Sequence, residues 1–239
     1  MNTVGLRHRP GTHLRGEETR RRILCTALEM FAEQGYDATS TRLLAERAGV
    51  NLPAIPYYFG SKEGLYRAVV AYCLEQSETF LAPVTDNALS LLAQKDPAPE
   101  ALINALCEIF ERFVVLVSCG EQVEARRLLW ARAELERTPV LQMLQEGGKR
   151  QIFEPCAALV GRLFGRAPDD PATILRTLAL FGQATIFCHT GVQEVLGEAS
   201  IDEVRIADVR ALVREQTEAI LRAALAGKAA ASKTRNAKK

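Results

Sequence analysis

The chain has little that would suit an enzyme, a secreted domain or a membrane protein. Aromatic residues make up 6% of its 239 residues, tryptophan occurs once and histidine three times. No GxSxG, P-loop, HExxH or dinucleotide fingerprint is present, so no recurrent nucleophile, phosphate or zinc motif places a reaction on it. Neither enzymatic activity nor a cofactor is expected. The six cysteines, Cys25, Cys73, Cys107, Cys119, Cys156 and Cys188, form no CxxC pair. Scattered through helical patterns, they read as small core residues in a reducing cytoplasm, with a redox switch as the alternative. Cys188 and His189 point about 100° apart on a helix and make a poor ligand pair, so no metal is expected. There is no signal peptide and no apolar run of membrane-spanning length. A cytoplasmic location without a membrane partner follows as the expectation.

What is present is helical. Apolar residues reach 48%, enough to bury a core, and Ala, Leu, Arg and Glu dominate over β-branched and aromatic residues. The net charge of +1 conceals an asymmetry. Residues 1–22 hold six arginines against Glu17 and Glu18, and residues 226–239 hold five basic residues and no acid. The body between them is acidic. Basic ends suit a polyanion, although a lysine-rich end is also the ordinary composition of a solvated tail.

Residues 1–16 read as a flexible basic arm carrying Arg7, Arg9 and Arg15, which either enter a minor groove or stay solvated. From Glu17 to Glu33, Leu24, Ala27, Leu28 and Phe31 recur at helical spacing, and Gly35 ends the helix. Thr39 or Ser40 caps a second helix that buries Leu44 and Ala48. Gly49 permits a sharp turn, and Asn51 caps a third helix. Ser61 caps a fourth, extending to about residue 80. The segment Asp96–Glu100 marks a boundary. Beyond it, helices span about 99–118, 121–136, 138–165, 171–189 and 202–226, punctuated or kinked by Pro139, Pro155, Pro168 and Pro171. The 172–189 stretch is apolar nearly all round. On the last helix Ile206, Val209, Val213, Ile220 and Ala224 mark one face. These two helices complete either an internal core or half of an intersubunit four-helix bundle.

The stretch TSTRLLAERAGVNLPAIPYYFGSK, residues 39–62, is two short helices joined by Ala-Gly-Val, the layout of a helix-turn-helix. The second helix carries Asn51, Leu52, Ala54 and Tyr57 on its outward face in place of a full apolar stripe. Asn can pair with adenine, and Leu and Ala can touch a thymine methyl. Tyr58 is either a phosphate contact or a packing residue, while Ile55 and Phe59 read as core. Pro56 deletes a backbone bond to Leu52 and disfavours helix at Ile55, so a distorted helix start is expected; its ring can instead pack on a thymine methyl.

Residues 18–66, with Phe-x-x-x-Gly-Tyr, Ala-Gly-Val, Tyr-Tyr-Phe-Gly-Ser-Lys and Leu-Tyr in order, resemble the DNA-binding domain of the TetR family of bacterial repressors. RAELERTPVLQ at 132–142 and LALFGQATIF at 178–187 resemble, more weakly, the CecR-like subgroup. The resemblance implies an all-α protein with an N-terminal helix-turn-helix head (17–66) and a C-terminal helical effector-binding and dimerisation domain (67–226), while the composition of 227–239 reads as a disordered basic tail. It implies a homodimer on a palindromic operator in double-stranded DNA, most simply a repressor released by a small-molecule effector. It tips the last two helices toward dimerisation. Thr41, Arg42, Tyr57, Tyr58 and Lys62 would meet phosphates, and Asn51, Leu52, Pro53 and Ala54 would meet bases. Effector walls would come from Phe110, Phe113, Trp130, Phe153, Phe181 and Phe187, with Arg126, Arg127, Gln183 and His189 as polar selectors. Such walls suit an amphipathic or aromatic compound. The rival readings are a dual activator and repressor, a helical interaction module without sequence-specific DNA binding, or, from another class, an enzyme whose catalytic set forms no recurrent motif.

Overall fold

The computed structural model describes residues 10–188, 195, 197 and 203–236. Every regular element among them is helical. The chain divides into two compact units, and the division is not the sequential one expected. The first unit takes residues 1–73 together with 124–144; the second takes 74–123 and 145–239.

In the first unit α1 (Pro10–Gln34) buries Ile23, Leu24, Ala27, Leu28, Met30 and Phe31. It begins inside the expected arm. Gly35 ends it, and the two hydroxyl candidates for the next cap divide the work. Thr39 is buried and donates to the Gly35 and Met30 carbonyls at 2.7 and 3.3 Å. Ser40 caps α2 (Thr41–Arg47) by accepting from Leu43 N. Helix α2 closes in a Schellman turn: Gly49, at φ 62°, donates to the Glu46 carbonyl and Val50 to that of Ala45. α3 (Ala54–Phe59) and α4 (Lys62–Leu92) follow. Ser61 caps α4 through Gly64 N at 2.9 Å. A Cβ on Gly64 would lie 2.0 Å from the Phe59 carbonyl oxygen, so glycine alone permits so tight an α3–α4 junction.

Helix α6 (Val123–Glu136) contributes Leu129 and Ala133 to the buried residues of this unit, along with Val140 beyond it. Arg132 on α6 donates to the Ala32 and Glu33 carbonyls at the end of α1 and pairs with Glu136 at 2.9 Å. Tyr66 stacks on Tyr36 at 4.9 Å, meets Phe31 at 4.7 Å and reaches Thr138 through its hydroxyl.

The second unit is built on α5 (Pro99–Ser118), which buries nine residues from Leu102 to Val114. Against it lie α8 (Glu154–Phe164), α9 (Pro171–Thr185) and α10 (Glu203–Asn236), sharing a core with Leu81, Ile152, Leu159, Leu180 and Leu221. The expected 138–165 helix starts later and changes pitch. It consists of α7 (Leu141–Gly148), a π turn over Lys149–Phe153, and α8. The wide turn ends just before Pro155, whose ring would crowd a carbonyl one turn back in a regular α-helix. Gln151, within the π turn, donates to the Leu74 carbonyl at 3.0 Å.

Two further expectations are corrected. The buried line of α10 is Ile206, Val209, Val213, Thr217 and Leu221; Ile220 is exposed. Steps of four residues advance a line by about 40° each on a helix of 3.6 residues per turn, which carries it past Ile220. The segment expected as a disordered tail continues α10 to Asn236. It is rich in alanine, the strongest helix former, and Lys228 donates to the Phe164 carbonyl at the end of α8.

Candidate nucleic-acid interface

The helix-turn-helix presents its second helix to solvent along one stripe. Pro53, Pro56 and Tyr57 are exposed and lie at the i, i+3, i+4 spacing of a single face, with Leu52 beside them. Tyr57 is 81% exposed and Leu52 47%. Opposite them Ile55 is buried, as expected. Phe59 is only half-buried, with the Arg20 guanidinium 5.6 Å from its ring centre. Tyr58 is half-buried and meets Tyr57 edge-on at 5.0 Å.

The start of α3 differs from expectation. Asn51 does not cap it: the N-cap position is Pro53, with no side-chain hydrogen bond, and the Asn51 and Leu52 carbonyls accept from Ala54 and Ile55. Asn51, Leu52 and Pro53 form the turn that precedes the helix. Pro56 therefore sits third in α3, where a backbone N–H has no partner within the helix. The ladder then runs undisturbed, Tyr57 to the Pro53 carbonyl at 3.1 Å and Gly60 to that of Pro56 at 2.9 Å. The start itself is displaced: Pro56 donates nothing to Leu52, whose carbonyl accepts from Ile55 instead, and α3 opens only at Ala54.

Around this stripe the cations differ in commitment. Arg42 is exposed, one position after the half-buried Thr41 that opens α2. Arg47 is paired with Glu33 at 3.2 Å. Lys62 is engaged within the head: its ammonium donates to the Asp37 carbonyl at 3.0 Å and lies 4.7 Å from the Tyr36 ring centre. Of the arm arginines, Arg15 is exposed on α1, while Arg7 and Arg9 fall outside the described residues.

The effector candidates separate. Phe110, Phe113 and Phe181 come together in the second unit, with ring centres 5.9 and 4.9 Å from Phe181, and Phe187 packs against the same core. Phe153 is half-buried at the end of the π turn. Both amide atoms of Gln183 are buried without a hydrogen-bond partner among the described residues, a state that ordinarily costs stability. Arg126, Arg127 and Trp130 belong to the first unit. Trp130 already has a partner for its N–H, Glu134 at 3.1 Å, and Arg127 pairs with Glu124 at 3.4 Å. His189 lies outside the described residues. Sequence reasoning missed Arg132, whose carbonyl partners lie a hundred residues away; the RAELERTP stretch that contains it was the only signal.

Comparison with known proteins decides the family. Residues 23–69 match the profile of bacterial regulatory proteins of the tetR family, and residues 102–224 match the C-terminal domain of the HTH-type transcriptional dual regulator CecR. The chain belongs to the TetR family. Its relatives include CecR of Shigella flexneri, 28% identical over 81% of this chain and 87% of that protein. RutR, a transcriptional regulator of Escherichia coli K12, is 30% identical over 76% of this chain and 80% of its own length. A TetR-family regulator from Mesorhizobium loti shares the fold, with a TM-score of 0.54 at 21% identity over 87% of this chain and 98% of that one. A transcriptional regulator from Saccharomonospora viridis, solved with choline, has a TM-score of 0.55 at 17% identity over 84% and 96% of the two chains. The TetR-family chain is thus an all-α transcriptional regulator with a helix-turn-helix head, and no described helix is long and apolar enough to cross a membrane.

Proposed function

We propose that this regulator acts in the cytoplasm as a homodimer on a palindromic operator, repressing by occupancy, and is released by a small amphipathic or aromatic effector. The exposed α3 stripe ending in Tyr57 carries the reading, because a solvent-facing aromatic on the second helix of a helix-turn-helix has a groove and its phosphates as its natural partner. Asn51, Leu52, Pro53 and Ala54 face bases; Thr41, Arg42, Tyr57 and Tyr58 hold phosphates. Lys62 acts in part from within, fixing the α1–α2 connection, and offers its remaining N–H groups to a phosphate.

A dimer is supported by α9. Leu175, Leu178 and Ile186 are all exposed and lie with Gly182 on one stripe at i, i+3, i+7 and i+11, while Thr173, Thr177, Leu180 and Ala184 fill the buried side. On α10, Leu212, Ala219 and Ala223 form another exposed apolar line. Two such helices from each protomer make a four-helix interface.

The effector is best served by the Phe110, Phe113 and Phe181 rings with the unpartnered Gln183 amide, apolar walls with one polar selector. Release requires that it bind the DNA-incompetent state more tightly, by roughly 1–3 kcal/mol for a typical coupling. Helix α4 runs from the head into the second unit and is the element both sites share. The match to a dual regulator's C-terminal domain favours a second reading, activation at some promoters. Titrating fluorescent operator DNA with the protein, with and without aromatic candidates, tests the proposal. Affinity lowered at least fivefold by one compound, and insensitive to it in Gln183→Leu, supports it; binding indifferent to all compounds across a broad library opposes it.

A further inference from the structure

We propose that the recognition stripe reads thymine methyl groups, so that the operator positions under α3 are A·T pairs selected by apolar contact and shape. The inference rests on the DNA-binding reading above and deepens it by naming what is read.

The argument is one of donors and acceptors. Guanine is read in the major groove chiefly by Arg or Lys, adenine by Asn or Gln, cytosine by Asp or Glu, and thymine by an apolar side chain against its 5-methyl group. From Asn51 to Phe59 the chain carries no charged side chain at all. The exposed residues are Asn51, Leu52, Pro53, Pro56 and Tyr57. Two prolines occupy the exposed face of α3 and its N-cap, and neither has an N–H to offer. The phenol of Tyr57 is the single hydrogen-bonding side chain on the stripe, and Asn51 the single amide beside it. The nearest lysine, Lys62, has its ammonium held by the Asp37 carbonyl and the Tyr36 ring.

With no Arg or Lys for guanine and no Asp or Glu for cytosine, such a surface lacks the usual hydrogen-bonding partners of a G·C pair. Leu52, Pro53 and Pro56 present rigid or branched hydrocarbon at a place where a thymine methyl is the only apolar group a base pair shows. Asn51 supplies the complementary adenine contact. Proline rigidity makes the contact one of fixed shape, since the two rings lose no rotamer freedom on binding.

The test uses the full chain and a duplex selected by it from a random pool. Each thymine in the selected half-site is replaced in turn by deoxyuridine, which removes the methyl and keeps the pairing. Loss of about fourfold in affinity per methyl under α3 is expected, with part of it restored by 5-methylcytosine, but not cytosine, at the same place. Leu52→Ala, at a position 47% exposed, is expected to abolish the uracil effect at one position and leave it at the others, with a thermal melt checking that the variant folds. Equal affinity for thymine and uracil duplexes throughout the half-site would overturn the inference while leaving the regulator intact. Failure of the pool to yield any preferred sequence would instead overturn the DNA-binding reading on which it rests.

Discussion

Arg132 donates from Nε to the carbonyl of Ala32 at 2.7 Å and from Nη2 to that of Glu33 at 2.9 Å. The last carbonyls of a helix have no partners within it, and a guanidinium fork satisfies two of them while placing positive charge at the negative end of the helix dipole. Glu136, one turn further along α6, orients that fork. The C-terminus of the first head helix is thereby capped by a residue from the middle of the chain.

Replacing Arg132 with Ala is expected to destabilise the first unit by about 1–2 kcal/mol, the range for losing charged hydrogen bonds at a half-exposed site. Arg132→Lys should recover little, because a point charge cannot serve two carbonyls at once. Urea unfolding followed by circular dichroism measures both. A loss below about 0.3 kcal/mol would assign the contact no structural weight.

Gly64→Ala forces a methyl group to within 2.0 Å of the Phe59 oxygen. The α3–α4 junction must shift, at a cost of about 2 kcal/mol or more. Because that junction sets the pose of the recognition stripe, DNA affinity is expected to fall more than stability alone accounts for. Melting temperature and operator affinity, measured on the same preparation, separate the two.

How much of this was legible in the sequence depends on how local the determinants are. The head is specified by neighbours: Ser40 over Leu43, Gly49 and Val50 over Glu46 and Ala45, Ser61 over Gly64. Each lies within a few residues of its partner, so the pattern reveals it. The α3 start was misread because Asn51 is a good capping residue by type, yet the turn uses its carbonyl while Pro53 takes the cap position. The allegiance of α6 to the head was hidden because it buries only Leu129 and Ala133 and works largely through Arg132 and distant carbonyls. Of the aromatic candidates, Phe110, Phe113 and Phe181 lie together in the second unit, whereas Trp130 belongs to the other unit and bonds Glu134.

Acid should weaken the seam between α5 and α10. Arg222 holds the Glu100 carboxyl below its ordinary value of 4.5, chiefly through its hydrogen bond. A carboxyl depressed in the folded state contributes stability above its unfolded value and loses it as pH falls through the folded one. Stability is therefore expected to be flat above about pH 5 with respect to this pair and to decline below pH 4.5. In Glu100→Gln the decline should be shallower. Thermal melts from pH 3 to pH 7 compare the two.

Thiol labelling reports burial in both units, through Cys73 in the first and Cys107 and Cys156 in the second. Burial pushes the Cys107 thiol up to about 12 and the Cys73 thiol up to about 11, and raises Cys156 as well. At pH 8 none of these three should be labelled by iodoacetamide in the native protein, whereas half-exposed Cys119 should react first among the cysteines of α5 and its C-cap. Peptide mass mapping before and after urea checks this.

Leu178→Asp places a charge in the exposed α9 stripe and leaves the buried side untouched. A folded monomer by light scattering is expected, with operator affinity reduced at least a hundredfold, since each half-site must then be bound singly.

The central claim is that the exposed α3 stripe binds DNA in a specific register. The most direct measurement is a footprint on DNA selected by the purified protein, with Tyr57→Ala beside it. Tyr57 is almost wholly exposed, so its loss should spare the fold. A protected near-palindrome whose half-sites are one helical turn apart, about 34–36 Å, lost in the variant, is the expected result. An unchanged footprint in Tyr57→Ala, or no protection by the folded wild-type protein on any selected sequence, would contradict it.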